Sequence, residues 1–490
     1  MPVQYHNFNN TLESLAKSPS GINGLDEISF GGIPKGRPTL VCGNAGCGKT
    51  LLAMEFIYRG AVQFGEPGVF ITFEEKREDL IKNVASLGFD LVDLEKRNLL
   101  VIDYVKVERN EIEETGSFNL DGLFVRIGYA IDSIGAKRVV LDTIESLFAG
   151  ISNHSILRAE IRRLFNWLRD KEVTVIITGE QGGGDSITRQ GLEEYVSDCV
   201  IFLDHRINEQ YGTRRIRIIK YRGSIHGTNE YPFIITESGI SILPISTVRL
   251  DSKSTHERIS TGIAGIDDML GGKGFFRGST ILVSGTAGTG KTSVLAHFIN
   301  DNCKKEEKGL YIAFEESKDQ IMRNMSSVGL NLKKWEDKGL LTFYSTRPAH
   351  ASLETHLAVI MKMVNELKPQ SVVFDPVSSL LNITSGMQVN SVLTRLVDFL
   401  KEKNITCIMS NLTSTEGSLE KTDVAISSLV DTWILLKELE NNSERNRSIS
   451  ILKSRGMKHS NQVRELIISD QGIETKSRQN HSGNKIVSKG

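Results

Sequence analysis

Cysteine is scarce in this chain, and the few cysteines present form no recognisable motif. Five occur among 490 residues, and none forms a C-x-x-C pair, which argues against a disulfide framework or a zinc site and favours a reducing compartment. Long apolar runs are missing too, because none approaches the roughly 20 residues that span a bilayer. The N-terminal "MPVQYHNFNN" has no apolar signal core. We therefore expect a cytoplasmic protein without membrane association.

An excess of charge of one sign is also missing. Lysine and arginine total 59, aspartate and glutamate total 60, and the formal net charge is -1. Bulk charge therefore gives no indication of a nucleic-acid-binding protein, although a local basic patch remains open. The hydrophobic share of 39% and the charged share of 24% are ordinary for a globular protein, and the length suits two to four domains.

The chain contains an internal repeat, in which five landmarks recur in one order roughly 230–240 residues apart. The paired landmarks begin at Ser20 and Thr261, Gly43 and Gly285, Gly68 and Gly309, Val139 and Val372, and Lys220 and Lys453. This period is too long for a solenoid unit, so we predict two tandem domains, 1–247 and 248–474. The polar segment Ser246 to Ser260 is the expected linker, and 475–490 is expected to be a disordered tail.

Within each half, short apolar runs alternate with helical stretches. The runs include "TLVCG", "GVFITF", "RVVLD" and "VTVIIT". In "ILRAEIRRLFNWLRDKE", apolar residues recur at helical spacing, at Ile156, Ile161, Leu164, Phe165 and Leu168. This alternation predicts an α/β fold in which each domain has a mostly parallel sheet flanked by helices.

Both halves carry a phosphate-binding loop of the form G-x-x-x-x-G-K-[ST], after an apolar strand and before a helical pattern. The first loop and the next residue are Gly43, Asn44, Ala45, Gly46, Cys47, Gly48, Lys49, Thr50 and Leu51; the second are Gly285, Thr286, Ala287, Gly288, Thr289, Gly290, Lys291, Thr292 and Ser293. Backbone N–H groups and the helix N-terminus are suited to phosphates. We expect Lys49 and Lys291 to contact the β- and γ-phosphates of ATP, and Thr50 and Thr292 to hold Mg²⁺.

Acidic residues follow two strands in each half. Asp142 ends "RVVLD" and Asp375 ends "SVVFD", which suits contact with Mg²⁺ and its water, although an aspartate there can also be a helix cap. "TFEEK" and "AFEES" place carboxylate pairs after another strand, and these are candidate catalytic residues that orient or deprotonate a nucleophile: Glu74, Glu75, Glu315 and Glu316. The alternative is a solvated helix start, where acids suit the helix dipole.

Each half also contains K-x-R-G, 78 residues after its strand-end aspartate. The motifs comprise Lys220, Tyr221 and Arg222 in the first half and Lys453, Ser454 and Arg455 in the second. The Lys-x-Arg pairs suit contact with a γ-phosphate bound by a neighbouring subunit, which requires a ring; surface cations on a strand are the alternative.

One stretch differs between the halves. Glu194 and Tyr195 in "LEEYVSDCV" correspond to Ser427 and Ser428 in "AISSLVDTW", a stretch whose pattern predicts the start of a strand. The second half therefore carries two adjacent hydroxyls where the first carries a carboxylate and a phenol. This difference indicates a division of labour, with hydrolysis to water in the first half and transfer to the protein in the second.

Tandem P-loop domains with "FEE", a strand-end Asp, K-x-R-G and "TDVAISSLVDTWILL" resemble the KaiC family, RecA-like ATPases and autokinases of the cyanobacterial clock. The resemblance covers about residues 10–472. It implies two RecA-like P-loop NTPase domains in a double-ring homohexamer, with ATP at subunit interfaces. Slow hydrolysis in the first domain would use Glu74 and Glu75. Autokinase and autophosphatase activity in the second would modify Ser427 and Ser428 of the adjacent subunit.

The resemblance further implies that Glu315 activates the acceptor hydroxyl and contacts Mg²⁺. It also places nucleotide contacts at Ser86, Lys220, Arg222, Ser224, His226, Thr236, Arg447, Lys453, Arg455 and His459. A KaiB-like partner would dock on the N-terminal ring, and a histidine-kinase-type signalling protein would receive the output.

Several positions depart from the family pattern. Ser428 replaces the threonine of the clock proteins, and Val328 replaces a tryptophan near the adenine, which removes base stacking. The chain ends shortly after "IISDQG", so we expect no KaiA-type control. Thr422 is a candidate transient acceptor. Cys47 has two interpretations, a small filler or a redox-sensitive thiol at a helix N-terminus.

Two functions from other classes remain open from the sequence. A RecA/DnaB-like DNA-dependent ATPase would share the P-loop core, but it needs a basic or aromatic DNA channel, and we therefore expect no nucleic-acid partner. An ATP-gated signalling scaffold would bind ATP without phosphotransfer.

Overall fold

The computed structural model describes residues 15–106, 121–147, 154–183, 187–188, 197–208, 211–243, 255–382, 386–413, 428–441 and 444–477. Contacts between residues divide the chain into two compact units, Met1–Ile245 and Ser246–Gly490. None of the helices in these described ranges has both the length and the apolar character needed to cross a membrane.

The first unit alternates strands and helices as its sequence pattern predicts. Its strands are β1 (Lys17–Ser18), β2 (Ile33–Pro34), β3 (Pro38–Gly43), β4 (Gly68–Thr72), β5 (Leu100–Tyr104), β6 (Arg138–Asp142), β7 (Thr174–Glu180), β8 (Cys199–Asn208), β9 (Tyr211–Tyr221), β10 (Tyr231–Thr236) and β11 (Gly239–Ile242). Its helices are α1 (Leu25–Ile28), α2 (Lys49–Phe64), α3 (Arg77–Ala85), α4 (Leu91–Lys96), α5 (Asp121–Ile134), α6 (Ile144–Leu147) and α7 (His154–Asp170).

The second unit repeats this order. Its strands are β12 (Arg258–Ile259), β13 (Phe275–Phe276), β14 (Thr280–Gly285), β15 (Gly309–Ala313), β16 (Leu341–Ser345), β17 (Ser371–Asp375), β18 (Thr406–Leu412), β19 (Thr432–Asn441), β20 (Glu444–Ser454), β21 (Arg464–Ser469) and β22 (Gly472–Ser477). Its helices are α8 (Ala264–Met269), α9 (Lys291–Lys304), α10 (Lys318–Ser326), α11 (Lys333–Asp337), α12 (Leu353–Leu367) and α13 (Gly386–Glu402), with 3₁₀ turns at Pro348–His350 and Val377–Asn382.

Each unit is built on one nine-stranded sheet with the same strand order. The first sheet runs β11-β10-β9-β8-β3-β7-β6-β4-β5, and the second runs β22-β21-β20-β19-β14-β18-β17-β15-β16. From β8 to β5, and from β19 to β16, neighbouring strands are parallel; the remaining pairs are antiparallel. The fold is thus the predicted pair of RecA-like α/β domains, each with a mostly parallel sheet.

The sheet of the first unit buries apolar side chains on both faces. Neighbouring residues on one strand enter different cores, because successive side chains point to opposite faces. Leu40 packs with α5 and α7, whereas Val41 packs with α2 and the β10–β11 hairpin. The P-loop strands β3 and β14 are central in their sheets, so each loop is held by a fully buried strand.

Four boundaries differ from the sequence pattern. On α7 the buried face begins at Leu157, because Ile156 is 48% exposed. Arg258 and Ile259 of the predicted linker form β12 and pair with β13. Thr475 to Ser477, predicted to begin the tail, belong to β22 because they pair with Arg464 to Leu466. Within the "AISSLVDTW" stretch the strand begins only at Thr432, its eighth residue.

Candidate functional site

The two P-loops have matching geometry at the carboxyl ends of β3 and β14. The ammonium of Lys49 donates to the carbonyls of Gly43 (2.9 Å) and Asn44 (3.0 Å). Lys291 does the same toward Gly285 (2.9 Å) and Thr286 (2.7 Å). Both lysines are therefore folded over their own loops, within reach of an anion that the loops would hold.

A glycine in a left-handed conformation begins the helix after each loop. Gly48 has φ 107° at the N-terminus of α2, and Gly290 has φ 95° at the N-terminus of α9. A Cβ at Gly290 would lie 2.4 Å from Ile468 Cδ1. Both positions therefore need glycine for conformation, and the second also needs it for space. Glycine-rich loops that lead into a helix N-terminus in this way suit phosphate, because their backbone N–H groups can surround the anion.

Asp142 lies beside the first P-loop, as its position at the end of β6 predicts. Thr50 Oγ1 donates to Asp142 Oδ2 (3.0 Å), and Thr178 Oγ1 donates to Asp142 Oδ1. Burial raises the pKa of Asp142, and the carboxylates of Glu74 and Glu75 raise it further, whereas the two hydroxyl hydrogen bonds lower it. These residues therefore form one electrostatically coupled group.

Asp375 lies at the equivalent place beside the second P-loop. Its Oδ1 accepts a hydrogen bond from Ser410 Oγ, and its Oδ2 accepts one from the Tyr311 hydroxyl (2.8 Å). Burial lowers the pKa of Lys291, and the carboxylates of Asp375 and Glu315 oppose that shift. The lysine and both acidic residues therefore lie close enough to interact electrostatically.

The structure separates the two members of each glutamate pair. Glu74 Oε1 accepts hydrogen bonds from Thr143 Oγ1 (3.0 Å) and Ser146 Oγ (2.5 Å), next to Asp142. Glu75 turns away and accepts from Asn83 of α3 (3.0 Å). Glu74 is therefore the member of this pair that faces the P-loop side of the site.

The second unit repeats this arrangement with different residue types around it. Glu315 Oε1 accepts from Ser379 Oγ (2.5 Å), in the 3₁₀ turn after β17. Glu316 Oε2 accepts from Asn324 of α10 (3.2 Å). A cavity of about 300 Å³ opens beside both glutamates, and Arg347 and His350 are among its lining residues. The second site therefore has space for a group next to Glu315.

The Lys-x-Arg pairs lie at the opposite edge of each sheet from the P-loops. Lys220 is paired in register with Val200 near the start of β8, and Arg222 N–H bonds to the carbonyl of Asp198, before β8. In the second unit, Lys453 Nζ donates to the carbonyl of Val430 (2.8 Å). Because β14 extends about 17 Å between these two edges, neither pair lies at its own P-loop.

The described part of the "AISSLVDTW" stretch, which begins at Ser428, lies at this same amino edge. Ser428 is exposed, and Asp431 N–H bonds to the carbonyl of Thr280, the first residue of β14. Ser427, Thr422, Glu194 and Tyr195 lie outside the described residues. Ser428 is therefore separated from Gly285, at the other end of β14, by the length of that strand.

Two of the predicted nucleotide-binding residues have side chains that make hydrogen bonds within the domain. The Tyr221 hydroxyl donates to the carbonyl of Gly32 (2.8 Å), and the ring is buried. Ser454 is buried and shares a hydrogen bond with Thr432 (3.0 Å). Their side chains therefore hold the strands that carry the basic pairs, and any nucleotide contact at these positions would use backbone atoms.

The remaining predicted contacts are spread over both edges. Arg447 lies at the carboxyl edge, where its Nε donates to the carbonyl of Gly288 (3.1 Å). Ser86 follows α3 and is exposed; Thr236 ends β10 and shares a hydrogen bond with Ser238 (3.0 Å). The other three lie in loops after β9 and β20 and are half-buried: Ser224, His226 and His459. Val328 packs against the core of the second unit.

Cys47 is a filler in the first P-loop. Its side chain is fully buried, and burial raises the pKa of its thiol. A Cβ at Gly43 would lie 2.8 Å from Cys47 Sγ, so the sulfur occupies the space that the glycine leaves. In the second unit Thr289 takes the same place, with its hydroxyl donating to the carbonyl of Thr286 (2.9 Å). The geometry thus favours the first of the two interpretations.

Three features of the sites escape the sequence motifs. Tyr311 contacts Asp375 from inside a strand, where only its register marks it. Ser146, in α6, and Ser379, in the 3₁₀ turn Val377–Asn382, donate hydrogen bonds to Glu74 and Glu315 from the segments that follow the strand-end aspartates. Arg214 precedes Lys220 by six residues, as Arg447 precedes Lys453. That shared offset is the signal by which Arg214 could have been found.

The donor set of each site fits ATP with Mg²⁺. The loop N–H groups and the folded lysine suit a polyphosphate. The hydroxyl of Thr50 and the carboxylate of Asp142, already in contact, are the hard oxygen ligands that Mg²⁺ prefers.

Comparison with known proteins agrees with this geometry. The KaiC ATPase family model matches residues 18–247 and 259–480, one segment for each unit. The circadian clock protein KaiC2 of Synechocystis sp. is 53% identical over 463 residues, covering 94% of this chain and 81% of that relative. The circadian clock oscillator protein KaiC of Synechococcus elongatus is 38% identical over 473 residues, covering 96% and 91%. That of Parathermosynechococcus lividus is 39% identical over 465 residues, covering 94% and 86%.

Proposed function

Because the chain belongs to the KaiC family of ATPases, we propose that it is a slow ATPase in its first domain (1–247) and a serine autokinase in its second (248–474). The observation that carries the proposal is the opposite placement of donor and acceptor. The P-loop, Glu315 and Asp375 meet at the carboxyl edge of the second sheet, whereas Ser428, Lys453 and Arg455 lie at its amino edge. The phosphate-binding groups at one edge can therefore meet the acceptor and the basic pair at the other edge only between two copies of the chain.

In the first domain the nucleophile is water. Its oxygen attacks the γ-phosphorus of ATP, Glu74 accepts its proton, and the bond to the β–γ bridging oxygen breaks with its electron pair leaving on ADP. Glu74 has the position for this role because Thr143 and Ser146 fix its carboxylate beside Asp142. Thr50 and Asp142 are the residues that would hold Mg²⁺, which when bound would stabilise the negative charge on the phosphate oxygens.

In the second domain the nucleophile is a serine hydroxyl of the adjacent copy. Oγ of Ser427 or Ser428 attacks the γ-phosphorus, Glu315 accepts the hydroxyl proton, and ADP leaves. The cavity of about 300 Å³ beside Glu315 supports this proposal, because it would give the acceptor room to enter. Glu315 and Thr292 are the residues that would hold Mg²⁺. We also propose autophosphatase activity by the reverse step, in which a β-phosphate oxygen of ADP attacks the phosphoserine phosphorus, ATP forms, and the released serine oxygen takes back its proton from Glu315.

Such a site is complete only in an assembly. Lys220 and Arg222, and Lys453 and Arg455, would contact the nucleotide of the neighbouring copy. We therefore propose a double-ring homohexamer with ATP between subunits. Its regulatory or timing role, a KaiB-like partner and a histidine-kinase-type output protein are proposed from the relatives, whose names place them in circadian clocks.

The test is incubation with Mg²⁺-ATP, followed by phosphopeptide mapping and native mass spectrometry. We expect phosphate on Ser427 or Ser428, hexamers in the presence of ATP, and no phosphate in a Glu315→Gln variant that still binds ATP. Hexamers that bind ATP yet carry no phosphate on either serine would exclude the autokinase. Partner recruitment unchanged in a chain with both serines replaced by alanine would favour a scaffold.

A further inference from the structure

Tyr311 is a fully buried side chain whose hydroxyl contacts the acidic residue of the second site. It lies in the middle of β15, stacks on Phe343 with ring centroids 5.2 Å apart, and donates a 2.8 Å hydrogen bond to Asp375 Oδ2. A buried hydroxyl requires a partner. Here the partner is the carboxylate of Asp375, which the sequence motif predicts to contact Mg²⁺ and its water.

In the first unit a different group donates the hydrogen bond to the strand-end aspartate. Phe70 occupies the register position of Tyr311, in β4, and it has no hydroxyl to donate. There Asp142 Oδ2 accepts its hydrogen bond from Thr50 of the P-loop itself. The other carboxylate oxygen is held alike in both units, by Thr178 in one and Ser410 in the other. The two sites thus differ in which group holds Oδ2.

This difference has a physical consequence for the metal side of the site. Two hydrogen bonds from neighbouring strands fix the plane of the Asp375 carboxylate without help from the P-loop. Each oxygen keeps a lone pair for a further hydrogen bond, because a carboxylate offers about four acceptor positions. Groups that orient a metal site in this way typically change metal affinity by about 10–100-fold when removed.

We infer that Tyr311 is a positioning residue of the second site, which holds Asp375 for the metal of bound nucleotide and leaves the Thr292 hydroxyl to the metal. In the first site the Thr50 hydroxyl has both roles, since it donates to Asp142 and is also the hydroxyl expected to bind the metal. This inference rests on the proposed function, since it assigns the metal of that same nucleotide site.

The experiment uses the full chain carrying Lys49→Ala, so that nucleotide binding reports the second site. Mn²⁺ is the probe, because its paramagnetic resonance spectrum distinguishes free from bound metal. Binding of Mn²⁺ is titrated in the presence of ADP, and binding of ADP alone is measured in EDTA. We expect Tyr311→Phe to weaken Mn²⁺ binding by about tenfold and to leave metal-free ADP binding unchanged.

Two further variants sharpen the test. Tyr344→Phe removes a hydroxyl from the adjacent strand β16 and should leave Mn²⁺ affinity unchanged. Ser410→Ala removes the other hydrogen bond to Asp375 and should weaken Mn²⁺ binding in the same direction as Tyr311→Phe. Tyr311→Phe should fold, because Phe70 fills the same position in the first unit.

The outcomes distinguish failure of the inference about Tyr311 from failure of the proposed function. Equal Mn²⁺ affinity in Tyr311→Phe and its parent overturns the inference and leaves the proposed function standing. Equal losses of Mn²⁺ and metal-free ADP binding also overturn it, because they indicate a general disturbance of the site. A Lys49→Ala parent that binds neither Mn²⁺ nor nucleotide contradicts the proposed function, and the inference with it.

Discussion

Arg455 donates a 2.8 Å hydrogen bond from Nη2 to the main-chain carbonyl of Ser428. Lys453 makes the matching contact with Val430 (2.8 Å). The basic pair and the proposed phosphoacceptor are therefore joined within one subunit, at the edge of the sheet away from its own P-loop. Any assembly that brings Arg455 to a neighbour's nucleotide brings Ser428 there as well.

This relationship predicts that phosphotransfer occurs between copies. Chains with Lys291→Ala, which keep both serines, are mixed with chains in which Ser427 and Ser428 are alanine. We expect phosphate on the Lys291→Ala chains, because β14 keeps an acceptor about 17 Å from its own P-loop. Isotope labelling of one chain type lets mass spectrometry assign the phosphate. A wild-type control that is phosphorylated, beside an unmodified Lys291→Ala chain, would contradict transfer between copies.

Arg455 itself should be needed for transfer. Replacement by alanine removes a forked cation that can bind two phosphate oxygens, and arginines in this role typically contribute about 10³–10⁵ in rate. We expect at least a thousandfold slower phosphorylation, measured by phosphopeptide quantification at saturating ATP. Lys458→Ala, at an exposed cation three residues further along, is the control and should keep the wild-type rate. A rate within tenfold of wild type in Arg455→Ala would be the contrary result.

The glutamate pairs should be unequal. In a Lys291→Ala background, which isolates the first site, Glu74→Gln should slow ATP hydrolysis by about 10²–10⁴. Glu75→Gln should cost less than about tenfold, because Glu75 contacts Asn83 rather than the P-loop side of the site. Phosphate release measures both variants. A larger loss in Glu75→Gln than in Glu74→Gln would reverse the assignment.

Cys47 should be inert. Burial raises the pKa of its thiol, so the reactive thiolate is scarce at neutral pH. We expect no labelling by iodoacetamide in the folded chain and full labelling in urea, as read by peptide mass spectrometry. Cys47→Thr, which installs the residue of the second P-loop, should keep ATP hydrolysis within about twofold of wild type. Rapid labelling of the folded chain, or loss of activity on mild oxidation that Cys47→Thr prevents, would favour the redox interpretation.

Acid should weaken the second unit more than the first. Burial lowers the pKa of His297 below 6.5, so its contribution to stability is complete above pH 6.5 and is lost as the pH falls from 6.5 to the lowered pKa of the folded state. The equivalent residue of the first unit, Glu55, has a pKa that burial raises above 4.5, so acidification favours its folded form. Thermal unfolding of the second unit should therefore shift downward between pH 8 and 5.5.

Tryptophan fluorescence can isolate that transition. Trp167→Phe leaves Trp335 and Trp433, both in the second unit, as reporters. His297→Gln should reduce the downward shift, whereas His256→Gln, at an exposed histidine of the same unit, should not. A slope with pH that is the same in His297→Gln as in its parent would show that this residue does not cause it.

Most of the sheet core could be predicted from the sequence, because its apolar runs and turn signals are local. The repeat also presents each motif twice. Asp142 alone could equally be a helix cap, but an equivalent aspartate, Asp375, in a second P-loop domain favours a role at the nucleotide site for both. Boundaries were predicted less well. The strand within the "AISSLVDTW" stretch begins at Thr432 because its partner strand begins there, and no local pattern shows a partner's position.

The division within the glutamate pairs could not be predicted, since it depends on hydroxyls that the fold brings from other segments. Ser146 lies 72 positions from Glu74, and Ser379 lies 64 from Glu315. The contact of Tyr311 with Asp375 could not be predicted for a similar reason. In the middle of an apolar strand a tyrosine reads as core, and only the parallel register beside β17 brings its hydroxyl to Asp375.

The strands β14 and β19 are parallel, so each second unit has its P-loop at one end of these strands and its acceptor at the other. A closed circle of such contacts has a direction. With the proposed transfer, every member would give phosphate to the neighbour on one side and receive it from the neighbour on the other. In circles of mixed composition, the modification of a chain would therefore report the identity of one specific neighbour, and the sequence of members around the circle would matter as much as their proportions.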